Sequence, residues 1–187
     1  MAMSQPAKYW TADDLVDLPD DGNRYEVIDG ELFVTPTPSG RHQDVVSELI
    51  LLLKPYARAV GLHLRGSPTA VKFSRRREVQ PDLIVLPLMP DGGIPPEFTD
   101  VGHLVLAIEV LSPSTASLDK VQKRELYQAQ GVDEYWIVDA TARTVERWQP
   151  DSVVADVLRE TMTWQPVSGR DALEMDLVDL FRRAAGD

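Results

Sequence analysis

The chain has 187 residues, enough for one domain with a real core, and its 43% hydrophobic and 26% charged residues are an ordinary globular composition. Its 30 acidic residues outweigh 19 basic ones for a net charge of −11, which argues against coating nucleic acid by bulk charge but leaves room for a local basic site or a cation site. No cysteine is present, so disulfides and thiolate metal sites are excluded and a reducing, cytoplasmic location is expected. No apolar run reaches membrane-span length, and MAMSQPAKYW lacks the apolar core of a secretory leader.

In chain order, TADDLVDLP reads as a short helix with Thr11 as N-cap and Asp13 and Asp14 in its positive first turn. RYEVIDGELFVT reads as two strands around Asp29-Gly30, a strong hairpin signal. Ser39 is placed to cap a helix through RHQDVVSELILLLKPYA, with Val45, Leu49, Leu52 and Leu53 on one face and Pro55 expected to kink or stop it. LHLRG and AVKF are strand candidates, followed by a charged turn, SRRREV. PDLIVLP is a short buried strand, and PLMPDGGIPPEF a Pro/Gly-rich surface loop.

LVLAIEVLS is apolar except for Glu109, and has the length and composition of a strand buried on both faces. A helical stretch, SLDKVQKRELYQAQ, follows and ends at Gly131. EYWIVD and TVERWQ read as hairpin strands, TMTWQP as a peripheral strand, and DALEMDLVDLFRRA as a terminal helix. The order implies an α/β domain with a mixed central sheet, a single domain over 1–187 with its core at about 24–148 and a peripheral C-terminal extension over 149–187.

Glu109 carries the chemistry of this reading. A carboxylate inside an apolar strand is costly unless something pairs with it. Asp82, at the start of another buried strand, is a natural companion if the two strands are neighbours. Two carboxylates in a place of low dielectric require a shared proton, a basic side chain or a divalent cation between them. Asp119, Lys123 and Tyr127 recur at intervals of four, so one helix face could bring Lys123 to the pair.

The set PDLIVLP, IEVLSPST and DKVQKRELYQAQGVDEYWIVD, with RYEVIDGEL and SGRHQDVVSELILLL upstream, resembles the Uma family of endonucleases within the PD-(D/E)XK superfamily. The resemblance spans roughly Tyr25 to Trp148. It implies a restriction-endonuclease-like fold, a mixed central β-sheet flanked by helices with an N-terminal β-hairpin. It further implies hydrolysis of DNA phosphodiester bonds with Mg²⁺ or Mn²⁺ as cofactor. Asp82 and Glu109 match the carboxylate metal ligands, joined by the backbone carbonyl of Val110. The superfamily's lysine lies two residues after the acid, where this chain has Leu111; Lys123, on the following helix, is the matching lysine of the Uma family. Glu26 matches an upstream acidic position of the site and His42 a recurring family position, with Tyr127 as a further accessory residue.

Each assignment has a plainer competitor. Glu109 could be one half of a structural ion pair with Lys123 or Arg24. Lys123 could merely face Asp119 on a solvated helix surface, and Lys120 is the second choice for the lysine. Glu26 could be salt-bridged by Arg24 or Arg41. Arg75, Arg76 and Arg77 read either as a solvated turn or as a hairpin tip that grips phosphate. Ser112 and Ser114 are assigned to capping, because no histidine lies at hydrolase spacing. A homodimer fits an enzyme that cuts two strands. The alternative to an endonuclease is an inactive nuclease-fold module that binds nucleic acid or serves assembly.

Overall fold

The computed structural model describes residues 8–100 and 102–187. Residues 1–7, which carry much of the reading of a non-secretory start, lie outside them. No helix among the described residues is long and apolar enough to cross a membrane.

A 3₁₀ turn, Ala12–Asp17, follows Thr11, whose backbone N–H and hydroxyl both donate to Asp14 at 2.8 and 2.6 Å. Strands β1 (Arg24–Ile28) and β2 (Glu31–Thr35) pair antiparallel. Asp29 and Gly30 both take positive φ, at 52° and 87°, as the tight turn between them requires. Helix α1 (Gly40–Ala59) starts at Ser39, which accepts from the His42 N–H. It does not stop at Pro55, because Leu53 and Ala57, on either side of the proline, are fully buried and their packing outweighs one lost backbone bond.

Strands β3 (Leu62–Gly66), β4 (Val71–Ser74), β5 (Arg77–Val79), β6 (Leu83–Pro87) and β7 (Leu106–Val110) follow. The expected charged turn is therefore shorter, since Arg77 already belongs to β5, which pairs back onto β4. After β7 a π-helical turn, Leu118–Lys123, runs into helix α2 (Arg124–Ala129), and Gly131 at φ 69° closes it. Then come β8 (Glu134–Asp139), β9 (Thr144–Trp148), β10 (Asp156–Leu158), β11 (Thr161–Trp164), β12 (Leu173–Asp176) and helix α3 (Leu177–Ala184). The terminal helix thus begins later than expected. Leu173 to Asp176 alternates inward and outward as a strand, with buried Met175 opposite buried Met162.

The central sheet has six strands in the order β10-β9-β8-β7-β6-β3. It is mixed: β7 and β8 are parallel, joined by the crossover through α2, and the other pairs are antiparallel. A second sheet, β2-β1-β5-β4, holds the N-terminal hairpin, and β11 and β12 form a third.

Alternation along the strands divides the interior into two layers. Leu83, Val85, Leu106, Ile108, Val110, Trp136 and Val138 face one side, against α1, α3 and Trp164. The segment after Trp148 contributes Met162, Trp164, Met175, Leu180 and Phe181 to this layer. Ile84, Leu86, Ala107, Tyr135 and Ile137 face the other side, against the second sheet and α2. By the same parity Asp82 and Glu109 point into the second layer. Leu83 stands opposite Ile108, so the two carboxylates form the next pair along.

Candidate active site

The ends of β6 and β7 open into a cavity of about 180 Å³. Its wall includes Arg24 and Glu26 from β1, the segment Thr35–Ser39, His42 from the first turn of α1, Asp82, Glu109, Ser112–Thr115, Asp119 and Lys123. The chain thus brings five of its sequence-inferred site residues, Glu26, His42, Asp82, Glu109 and Lys123, to one place, with Val110 also in the wall. Tyr127 lies just behind, its hydroxyl donating to Glu109 Oε1 at 3.3 Å.

Lys123 is buried, with its ammonium 2.8 Å from Glu109 Oε1, 2.9 Å from Glu26 Oε1 and 3.7 Å from Asp119 Oδ1. It is no member of a solvated helix face. Lys120, the second choice, turns away to Glu146 at 2.7 Å. Asp82 is held by three donors: His42 Nε2 and the Val110 N–H each lie 2.9 Å from Oδ2, and Arg24 Nη2 lies 3.0 Å from Oδ1. Arg24 Nη1 also reaches to 3.9 Å from Glu109 Oε2, so one guanidinium spans both strand carboxylates. Glu26 Oε1 accepts the Gln80 N–H at 2.6 Å, whereas its Oε2, buried in the same wall, has no hydrogen-bond partner.

The electrostatics follow from this packing. Burial pushes the Glu109 carboxyl well above the usual range; Lys123 opposes the shift, while Asp119, Asp82 and Glu26 add to it. Burial alone would lower the proton affinity of Lys123, but Glu109, Glu26 and Asp119 outweigh it and hold the ammonium protonated beyond its ordinary range. The two directions agree physically. Three carboxylates around one ammonium carry excess negative charge, so the cluster retains protons on both kinds of group. Asp82 goes the other way: burial opposes its ionisation, but its bonds to His42, Arg24 and Val110 prevail and its carboxyl sits below the ordinary value.

The donor set suits a hard divalent cation. Mg²⁺ commonly takes one or two carboxylates and keeps waters for the rest of its shell. Asp82 Oδ2 and Glu109 Oε1 are committed to buried donors, and the opposite oxygens, Oδ1 and Oε2, face Arg24. Glu26 Oε2, without a hydrogen-bond partner, lies in the same wall. Among the described residues no three histidine or carboxylate side chains stand together as a ready ligand set, so the fit is to a two-carboxylate site rather than to a closed transition-metal centre.

Arg75, Arg76 and Arg77 are not brought to this cavity. Arg75 lies 3.6 Å from Asp13, Arg76 donates to the Asp29 carbonyl at 2.6 Å, and Arg77 binds the Asp29 carboxylate at 2.6 Å. Sequence reasoning noted Arg24 only as a pairing partner and did not foresee that it would span Asp82 and Glu109. The available signal was its spacing of two from Glu26, which places both on one face of β1. Asp119, which spacing places on one face with Lys123 and Tyr127, is buried there, with the Tyr135 hydroxyl donating to its backbone carbonyl at 3.1 Å.

A mixed central sheet with a parallel crossover, flanked by helices, fits a restriction-endonuclease-like fold. The chain belongs to the Uma2 family, described as "Putative restriction endonuclease", whose family model matches residues 12–177. It is also similar to a crystal structure from Anabaena variabilis described as a "putative nuclease belonging to DUF820", with a TM-score of 0.73 and 24% identity over 93% of this chain and 98% of that one. At that identity the likeness speaks for the fold. No curated protein matches the chain.

Proposed function

We propose that this cavity hydrolyses phosphodiester bonds in DNA, with Asp82 and Glu109 as the carboxylate ligands of Mg²⁺ or Mn²⁺ and the carbonyl of Val110 completing the protein's share. The observation that carries the reading is the convergence of two buried carboxylates from adjacent strands and a buried lysine on one open cavity. When bound, the cation would polarise the scissile phosphate and lower the pKa of a water.

The chain's own groups divide the remaining work. His42 and the Val110 N–H fix the orientation of Asp82, and Tyr127 and Lys123 fix that of Glu109. Lys123, bonded to Glu109 at 2.8 Å, would position or deprotonate the attacking water and offset charge on the phosphate. Glu26 anchors Lys123 from the opposite sheet. Cutting both strands of a duplex often takes two sites, so the reading includes a homodimer. The competing reading, an inactive module, draws on the same ion pairs: Lys123 and Arg24 already engage both carboxylates.

The test is a cleavage assay on supercoiled plasmid and single-stranded DNA with Mg²⁺, Mn²⁺ or EDTA. Wild type should nick only with metal, and Asp82→Asn, Glu109→Gln and Lys123→Ala should each lose at least about a hundredfold in rate. Cleavage that survives in Asp82→Asn and Glu109→Gln would overturn the assignment.

A further inference from the structure

Resting on the two-carboxylate reading above, we infer that Arg24 is a displaceable counter-cation: it holds the free oxygens of Asp82 and Glu109 in the metal-free protein and yields them to the divalent cation.

The first argument is how the oxygens are shared. Each strand carboxylate has one oxygen fixed by buried donors, Asp82 Oδ2 by His42 and the Val110 N–H, and Glu109 Oε1 by Lys123 and Tyr127. The other two, Asp82 Oδ1 and Glu109 Oε2, face the same guanidinium at 3.0 and 3.9 Å. A cation held by these two oxygens would compete with Arg24 for them.

Mobility separates the two basic residues. The Lys123 side chain is 2% exposed and ringed by three acids, so moving it would strand them all. The Arg24 side chain is 17% exposed and sits on the first residue of its strand. It also lines a second, adjoining cavity of about 370 Å³. Asp82 is the only acid in that cavity's wall, and Asn23, Gln43, Ser47, Ser67 and Gln80 supply neutral polar groups. A guanidinium turned into it would leave the carboxylates while staying beside the reaction centre.

Charge supplies the drive. Four carboxylates (Glu26, Asp82, Glu109 and Asp119) face two cations, Lys123 and Arg24, so replacing a single positive charge with a double one brings the cluster closer to balance.

The experiment is calorimetric titration of substrate-free wild type, Arg24→Gln and Arg24→Lys with Mg²⁺, each first checked for folding by circular dichroism. Arg24→Gln should bind Mg²⁺ about fivefold tighter than wild type, the scale expected for losing one partly exposed competing ion pair, with Arg24→Lys between them. In wild type the Arg24 Nε–Hε resonance should move on addition of Mg²⁺, and Asp82→Asn should abolish that response. This second measurement decides the matter even if Arg24→Gln fails to fold. Binding by wild type with equal or weaker binding by Arg24→Gln, or an unmoved Arg24 resonance, would overturn the role of Arg24 and leave the metal reading standing. No Mg²⁺ binding by either protein would overturn the two-carboxylate reading itself, and this inference with it.

Discussion

Lys123→Met is the sharpest test of how the site is held together. The side chain is 2% exposed and stands at 2.8, 2.9 and 3.7 Å from Glu109, Glu26 and Asp119. Methionine fills a similar volume but leaves these carboxylates buried without their cation. Breaking a buried pair by removing one partner costs about 3–5 kcal/mol, against about 0–1 kcal/mol for a pair on a solvated face. For a chain of this length about 1 kcal/mol shifts the melting temperature by about 2–4 °C, so a fall of roughly 6–20 °C is expected. The assay is thermal and urea unfolding of the metal-free protein in EDTA, repeated for Glu109→Gln and for the double variant. The double variant should regain part of the loss, with a coupling of about 1.5–3 kcal/mol, because the stranded charge is removed with its partner. A shift under about 2 °C together with additive effects would refute the view that Lys123 is the counter-ion of the site.

Two further outcomes follow from the same packing. Because the Glu109 carboxyl is raised above its usual value of 4.5, the folded state binds that proton more tightly than the unfolded chain, so its contribution to stability is present at low pH and is lost as pH rises through the raised value. Melting temperatures in EDTA from about pH 5 to 8 should therefore show Glu109→Gln gaining on wild type as pH rises; a constant gap would contradict the shift. Trp164→Ala should cost about 3–5 kcal/mol in urea unfolding, since the ring is buried between Trp136 and Tyr56 at centroid distances of 5.5 and 5.6 Å; a loss under about 1 kcal/mol would make the C-terminal strands an accessory to the core.

The parts of this structure legible in the sequence are those governed by local rules. The Asp29-Gly30 hairpin needs only positive φ in two adjacent residues, and Glu109 in its apolar run reveals a buried acid from composition alone. Spacing placed Asp119, Lys123 and Tyr127 on one face, and all three are buried there. What escaped depends on pairing between distant segments. Period-two alternation tells which residues share a face but not which strand lies beside which, so the separate sheet that carries Arg24 and Glu26 over the acid pair was not visible. The partners of the triple arginine, Asp13 and Asp29, lie on segments remote in sequence and were not visible for the same reason. The terminal helix was overextended because Leu173 and Met175 fit both a strand and a helix in so short a stretch.

The placement of the lysine follows from the topology. A lysine two residues beyond the acid would share its face by strand parity, but that position is Leu111, which packs against the apolar layer. The parallel pairing of β7 with β8 obliges the chain to cross back over the sheet, and here it crosses on the face that carries Glu109. The inward side of that crossover is therefore the nearest place from which a long side chain can meet the acid. The wider i→i+5 turn at Leu118–Lys123 is local to this need, bringing both Asp119 and Lys123 inward before α2 resumes ordinary winding. It is pinned by the Tyr135 hydroxyl on the Asp119 carbonyl and by Tyr127, whose ring packs on Tyr135 at 4.7 Å and whose hydroxyl meets Glu109. In a strand the distance from lysine to acid would be fixed by backbone geometry. Here it is fixed by the packing of a helix on a sheet, which ties the geometry of the site to the two buried tyrosines behind it.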